Sequence, residues 1–269
     1  MQSNQSAFPE RIRRAVLEAQ GLGLAGLAVV PGPNLRYLIG LALHASERLM
    51  LALLAPDRPP VFVVPAFEAE RVVQGAALPA EIFPYADEEG PRGALSQACR
   101  HLGLAGQRVG AESLHMRLME FQYLREAGLE AIAAEDIFAG ARLRKAAVEL
   151  AAMRDAIART EQALHALLPK IRPGHTEREL ASRLRAILLE AGDGDIPFSA
   201  LPHGTPSERP LQKGDLIIID CGIYYNGYLS DITRTFAVGM VEPDLRRVYE
   251  VVLEANRAGR EACKPGVAA

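Results

Sequence analysis

Hydrophobic and polar positions in the first half of the chain follow two different periods. Ile12, Val16 and Leu17 recur on one side of a helix, which predicts an amphipathic helix over residues 9–20. Helical patterns also cover residues 93–102 and 113–127. Short apolar runs bounded by turn residues predict strands at residues 24–30, 49–55, 60–65, 81–84, 108–111 and 130–133. Strands that alternate with helices in this way indicate an α/β domain.

The pattern changes at residue 139. Residues 139–170 are rich in Ala, Arg and Glu and predict one long helix, which ends before Pro173-Gly174. Thr176 and Glu179 have the spacing of a capping box, which predicts the start of a second helix. We therefore predict two domains, residues 1–138 and 139–269.

The stretch GDLIIIDCGIYYNGYLSDITRTF, residues 214–236, predicts a β-hairpin. Asn226-Gly227 is a strong signal for a two-residue turn between antiparallel strands. The opposite pairs expected about this turn are Tyr225 with Tyr228, Ile223 with Ser230, and Gly222 with Asp231. A bulge at the turn would move one strand's side chains to the other face.

Two aspartates are expected on one face of this hairpin. Asp220 lies two residues before Gly222, so Asp220 and Asp231 are diagonal neighbours with backbones roughly 7–8 Å apart. No Lys or Arg is expected beside them, and a cation is the simplest compensation for their charge. Oxygen ligands at this separation suit a two-metal site that holds a hard ion such as Mn²⁺. The alternative is an exposed hairpin face, or Asp231 capping a turn.

Two neighbouring residues complete the predicted site. Cys221 alternates with Asp220 and is expected on the opposite face. His203, between Pro202 and Gly204, is suited to polarising a substrate carbonyl or donating to a leaving group. The alternative for His203 is a loop residue without a role.

Composition and charge narrow the function classes. Hydrophobic residues make up 49% and charged residues 23% of the chain, which is ordinary for a globular protein. The formal net charge is −3 and Lys and Arg form no dense run, so no nucleic-acid partner is expected. The three cysteines are widely spaced, which indicates a reducing compartment. No signal peptide or membrane-spanning stretch is predicted, and we expect a cytoplasmic protein without a membrane partner.

Residues 201–239, LPHGTPSERPLQKGDLIIIDCGIYYNGYLSDITRTFAVG, closely resemble the first metal-binding half of the pita-bread metallopeptidases. That family includes methionine aminopeptidase, prolidase, Xaa-Pro aminopeptidase and creatinase. The segments NLRYLIG and IRPGHTERELA resemble its two-domain branch. The resemblance covers nearly the whole chain and favours the proline-specific members.

The resemblance implies an α/β creatinase-like N-terminal domain followed by an α+β pita-bread domain, a curved antiparallel sheet with flanking helices. It implies two divalent metal ions that are held by two Asp, one His and two Glu. Mn²⁺ is the expected metal, and Co, Zn or Fe are the alternatives. The two Asp correspond to Asp220 and Asp231, and His203 is the residue that contacts the substrate. The implied activity is hydrolysis of the Xaa-Pro bond at the N-terminus of proline-containing peptides or in Xaa-Pro dipeptides. A homodimer is also implied.

Two departures from the family pattern leave a second function open. The remaining His and Glu ligands belong to the second half of the pita-bread domain, so we expect an incomplete domain in a chain that ends at Ala269. The segment AGDGDIPFSALPHG is also shorter than in relatives. The alternative is a truncated, catalytically inactive member that acts as a binding or dimerisation module. The metal, and the preference between aminopeptidase and dipeptidase, stay open.

Overall fold

The computed structural model describes residues 7–194, 196, 198–200 and 206–268. The chain divides into two compact units, Met1–Glu149 and Leu150–Ala269. The domain boundary predicted from the sequence, between residues 138 and 139, falls inside a helix of the first unit. None of the helices in the described part of the chain has the length and apolar character of a membrane span.

The first unit is the predicted α/β domain. Its helices are α1 Phe8–Gly21, α2 Pro33–Ile39, α3 Ala69–Gly75, α4 Arg92–His101, α5 Leu118–Glu126 and α6 Glu135–Leu143. Its strands are β1 Gly26–Val29, β2 Leu51–Leu54, β3 Val61–Pro65, β4 Glu81–Tyr85, β5 Arg108–Ala111 and β6 Glu130–Ala133. Among the described residues these strands form one mixed sheet in the order β4-β3-β2-β1-β5-β6.

The central strands of this sheet are buried on both faces. Leu27 and Val29 of β1 belong to one apolar cluster, whereas Ala28 and Val30 belong to a second cluster on the other face. Helices cover both sides, so the strands have continuous apolar runs rather than an alternating pattern. This is why the sequence predicted these strands well.

A buried carboxylate links three elements of the first unit. Glu112 follows β5, is fully buried, and accepts hydrogen bonds from the Val30 N–H (2.6 Å) and the Asn34 side-chain amide (2.7 Å). Arg142 in α6 donates in turn to the Asn34 Oδ1 (3.0 Å). Burial raises the pKa of Glu112 to about 7, and the two hydrogen bonds oppose that rise.

The prediction of a single long helix over residues 139–170 is wrong. The chain forms α6 and then a separate helix α7, Ala147–Leu167, which is followed by a 3-10 turn at Leu168–Lys170. The Glu149 carboxylate accepts from the Ala146 N–H (2.8 Å), so it satisfies a free donor at the start of α7. Glu149 also pairs with Arg11 (3.2 Å), and both side chains are less than a tenth exposed. These contacts fix a helix start where propensity alone favours continuation.

The helix predicted over residues 113–127 is also shorter than expected, because α5 begins only at Leu118. Glu120 accepts from the Arg117 N–H (2.8 Å) and so marks the helix start.

The second unit packs helices against one face of an antiparallel sheet. Its further elements are α8 Glu177–Ala191, β7 Phe198–Ala200, β8 Leu216–Gly222, β9 Tyr224–Tyr225, β10 Tyr228–Leu229, β11 Ile232–Ala237 and α9 Pro243–Ala262. Among the described residues the sheet order is β11-β8-β7, and β9 pairs with β10. The predicted capping box of Thr176 and Glu179 is confirmed at the start of α8. This arrangement agrees with the α+β class.

Helix α9 buries none of its side chains against the described part of the chain. Leu245, Val248 and Val252 share one side of the helix, and Val248 and Val252 are 61% and 62% exposed. An apolar helix face of this kind is an interaction surface or an aggregation liability.

Glu112 gives a testable pH dependence. The unfolded carboxyl releases its proton near its ordinary pKa of 4.5, whereas folded Glu112 does so at about 7. Between these values the folded state binds more protons, so the free energy of unfolding falls as pH rises, by about 3 kcal/mol in total. Chemical unfolding of Glu112→Gln across this range is expected to lack that decline. The exposed Glu89→Gln control is expected to keep it, and equal slopes in both variants would contradict the assignment.

The exposed face of α9 gives a second expectation. We expect the 269-residue polypeptide to associate as its concentration rises, as measured by sedimentation velocity. Val252→Asp is expected to reduce this association because it places a charge in the apolar face. Arg257→Gln changes the net charge equally on the polar face and is expected to have little effect. A monomeric unsubstituted chain with one cooperative thermal transition would contradict this expectation.

Candidate metal centre

The turn of the predicted hairpin is confirmed. Asn226 and Gly227 have φ values of 50° and 79°, which is the left-handed pair that a type I′ turn requires. Tyr225 pairs with Tyr228 directly across the turn. This turn sets the register of the residue pairs along both strands of the hairpin.

The predicted register is also confirmed. Leu229 pairs with Tyr224, and further along Ile232 pairs with Cys221 and Thr233 pairs with Asp220. The same alignment continues from the turn to the end of β11, so no bulge shifts the side chains over these pairs. Asp231 therefore lies across from Gly222, and Asp220 and Asp231 are diagonal neighbours, as expected.

Alternation along β8 separates the aspartates from the core. Ile217, Ile219 and Cys221 are almost completely buried beneath α7 and α8. Asp220 is half-buried on the other face, and Asp231 is exposed. The prediction that Cys221 lies opposite Asp220 is confirmed. Burial, and then the Asp220 charge, raise the pKa of the Cys221 thiol to about 12, so this thiol is neutral at physiological pH.

Thr233 orients the first aspartate. Its hydroxyl donates a 2.8 Å hydrogen bond to the Asp220 Oδ1 from the paired position on β11. Thr233 is not among the site residues predicted from the sequence. The signal was present, because the register places Thr233 directly opposite Asp220.

The donor set can be compared with the needs of a metal ion. Two carboxylates on one face offer the hard oxygen ligands that divalent cations such as Mn²⁺ prefer. In the described ranges of the chain, no group of three or more His, Cys, Asp or Glu residues is close enough to hold an ion. His203, the other predicted site residue, lies outside the described residues. The carboxylate oxygens of Asp220 and Asp231 are chemically suited to a divalent metal ion, and these two residues supply part of its ligand set.

Two family models and several known proteins match this chain. The model of metallopeptidase family M24 matches residues 151–269, and that of the creatinase/prolidase N-terminal domain matches residues 11–144. A putative dipeptidase, YkvY, of Bacillus subtilis is 30% identical over 268 residues, which cover 96% of this chain and 74% of that protein. An Xaa-Pro dipeptidase of Pyrococcus horikoshii is 26% identical over an alignment of 275 positions. This alignment covers 97% of this chain and 73% of that protein.

A solved structure gives the same result for the fold. The prolidase of Thermococcus sibiricus superposes with a TM-score of 0.84 at 25% sequence identity. The match covers 93% of this chain and 71% of that one.

The Thr233 hydroxyl orients a candidate metal ligand, and its removal is expected to weaken Mn²⁺ binding. Thr233→Val removes the donor to Asp220, and loss of such an outer hydrogen bond reduces metal affinity by about tenfold or more. Binding is measured by the loss of the free Mn²⁺ signal in electron paramagnetic resonance. Thr233→Ser keeps the hydroxyl, and Thr235→Val makes the matched change on the same face. Both are expected to bind like the unsubstituted chain, and equal affinity in Thr233→Val would contradict the role.

Proposed function

Because the chain belongs to metallopeptidase family M24, we propose that it hydrolyses the Xaa-Pro bond of Xaa-Pro dipeptides or at the N-terminus of peptides. The creatinase-like and M24 domains expected from the sequence resemblance are both confirmed by the family matches. The observation that carries the proposal is the hairpin register, which is the same on both sides of Ser230 and Asp231 and makes Asp220 and Asp231 diagonal neighbours. The names of the prolidase and Xaa-Pro dipeptidase relatives support the substrate class.

Asp220 and Asp231 are the proposed metal ligands of this chain. Two divalent ions, when bound, make water a potent nucleophile at neutral pH and polarise a carbonyl group. We propose Mn²⁺, with Co, Zn or Fe as alternatives, because oxygen donors favour hard ions. Both aspartates contribute negative charge, and Thr233 holds the Asp220 carboxylate in one orientation through its 2.8 Å hydrogen bond.

His203 is the proposed substrate-binding residue. Its imidazole N–H would donate to the oxygen of the scissile carbonyl, where negative charge grows during attack. The support is the Leu-Pro-His-Gly motif, in which proline and glycine flank the histidine. We also propose that the protein acts as a homodimer in the cytoplasm on proline-containing peptides.

A second candidate function is a binding or dimerisation module without catalysis. One observation favours it: in the described part of the chain, no third metal-binding side chain joins Asp220 and Asp231. Two carboxylates alone hold a divalent ion weakly, so we expect little or no peptidase activity from the 269-residue polypeptide by itself.

The ligand assignment is tested by Mn²⁺ titration of the 269-residue polypeptide. We expect weak binding that Asp231→Asn reduces by at least about tenfold, because a ligand is lost. Asp244→Asn removes the same charge in the first turn of α9 and is expected to leave binding unchanged. Equal binding by the unsubstituted chain and Asp231→Asn would contradict the assignment.

Hydrolysis separates the two candidate functions. Protein expressed from its native gene is assayed with Mn²⁺ on an Xaa-Pro dipeptide and on the matching Xaa-Ala dipeptide, and its intact mass is measured. Xaa-Pro hydrolysis that Asp231→Ala abolishes supports the peptidase. A mass of 29.1 kDa without hydrolysis supports the binding module. Turnover by a 29.1 kDa protein, lost in Asp231→Ala, would contradict the expected inactivity of this polypeptide.

A further inference from the structure

A pair of buried hydroxyl groups lies directly beside the segment that carries Asp231. Thr160 in α7 and Ser230, the residue before Asp231, are 0% and 1% exposed. Their hydroxyl oxygens are 2.6 Å apart. Buried polar groups require hydrogen-bond partners, so the partners of this pair show what it does.

The hydrogen bonds of the pair connect the hairpin backbone to α7. The Ile223 N–H donates to the Ser230 Oγ (3.0 Å), and the Thr160 hydroxyl donates to the Ala156 carbonyl (3.0 Å). Either hydroxyl can donate in the 2.6 Å contact between them. The Ser230 hydroxyl also lies 3.4 Å from the Ile223 carbonyl oxygen. The result is one chain of hydrogen bonds from the hairpin backbone to α7.

One hydrogen bond of this network replaces a backbone–backbone hydrogen bond of the hairpin. The Ser230 N–H donates to the Ile223 carbonyl (3.0 Å), and the return bond goes from the Ile223 N–H to the Ser230 side chain. Strand β10 ends at Leu229 and β11 begins at Ile232, so Ser230 and Asp231 lie between two paired segments. The Ser230 hydroxyl therefore accepts one of the two hydrogen bonds that join Ser230 to the opposite strand beside Asp231.

We propose that the Thr160–Ser230 hydroxyl pair positions the Asp231 carboxylate for metal binding. The inference rests on the proposed function, in which Asp231 is a metal ligand. Thr160 and Ser230 are positioning residues, because each acts through the backbone of the hairpin. Their hydrogen-bond chain fixes Asp231 to α7, a helix whose Ala163, Leu164 and Leu167 are packed in the core of the same unit.

The same hairpin has a second attachment to α7 that provides a matched control. The Arg159 Nη2 donates to the Tyr225 hydroxyl (2.9 Å), and the guanidinium carbon lies 3.8 Å from the centre of the Tyr225 ring. This contact holds the tip of the hairpin, beside the Asn226-Gly227 turn, and does not involve the Ser230 hydroxyl. Tyr225→Phe removes its hydrogen bond and keeps the ring.

The test uses the 269-residue chain and two measurements. Thr160→Val replaces the hydroxyl by a methyl group of similar size, Thr160→Ser restores a hydroxyl, and Tyr225→Phe is the control. Electron paramagnetic resonance gives the Mn²⁺ dissociation constant, and amide hydrogen exchange reports the Ile223 N–H. Thr160→Val is expected to weaken Mn²⁺ binding about tenfold and to speed exchange at Ile223. Thr160→Ser and Tyr225→Phe are expected to bind Mn²⁺ like the unsubstituted chain.

Two results overturn the inference alone. One is unchanged Mn²⁺ affinity in Thr160→Val, and the other is an equal loss in Thr160→Val and Tyr225→Phe. In either case the hydroxyl pair only stabilises the core. The unsubstituted chain separates these results from failure of the proposed function. If it binds Mn²⁺ no more tightly than Asp231→Asn does, the ligand assignment fails, and the inference that rests on it fails too.

Discussion

The antiparallel pairing of β8 with β11 decides which face of the sheet each side chain of the hairpin occupies. Side chains alternate along a strand, so a slip of one residue would exchange the two faces of that strand. Ile217, Ile219 and Cys221 are buried beneath helices, and exposing them would cost much of the core of this unit. The burial of these three residues therefore fixes the direction of Asp220 on the opposite face. This burial places Asp220 in the candidate site whether or not a metal ion is bound.

Contacts around the pair refine this placement. Thr233 acts on Asp220 from the paired strand, and Ser230 connects the backbone beside Asp231 to Thr160 in α7. The hydroxyl of Thr233 contacts the Asp220 carboxylate directly, whereas that of Ser230 acts on Asp231 through the backbone. A carboxylate held as Asp220 is loses less conformational entropy when it binds an ion.

The hairpin was predictable from sequence because its determinants are local. The Asn226-Gly227 turn sets the register, and the apolar alternation of β8 sets the face, so the diagonal relation of the aspartates followed from a few residues. The strands of the first unit were predictable for a similar reason, since burial on both faces gives continuous apolar runs.

Other features depend on contacts between distant residues and were not predictable. The break between α6 and α7 is fixed by Glu149 and its buried partner Arg11, and helix propensity at residues 144–146 contains no sign of it. The bond between Thr160 and Ser230 joins residues that only the fold brings together. The position of Thr233 opposite Asp220 could be predicted from the sequence, but its role could be assigned only from the observed hydrogen bond.

Locating a bound metal ion tests most directly whether Asp220 and Asp231 are its ligands. Crystals of the chain grown with Mn²⁺ would be measured with anomalous scattering at the manganese edge. Anomalous density is expected in contact with carboxylate oxygens of both Asp220 and Asp231. Manganese bound elsewhere, with neither carboxylate in contact, would contradict it.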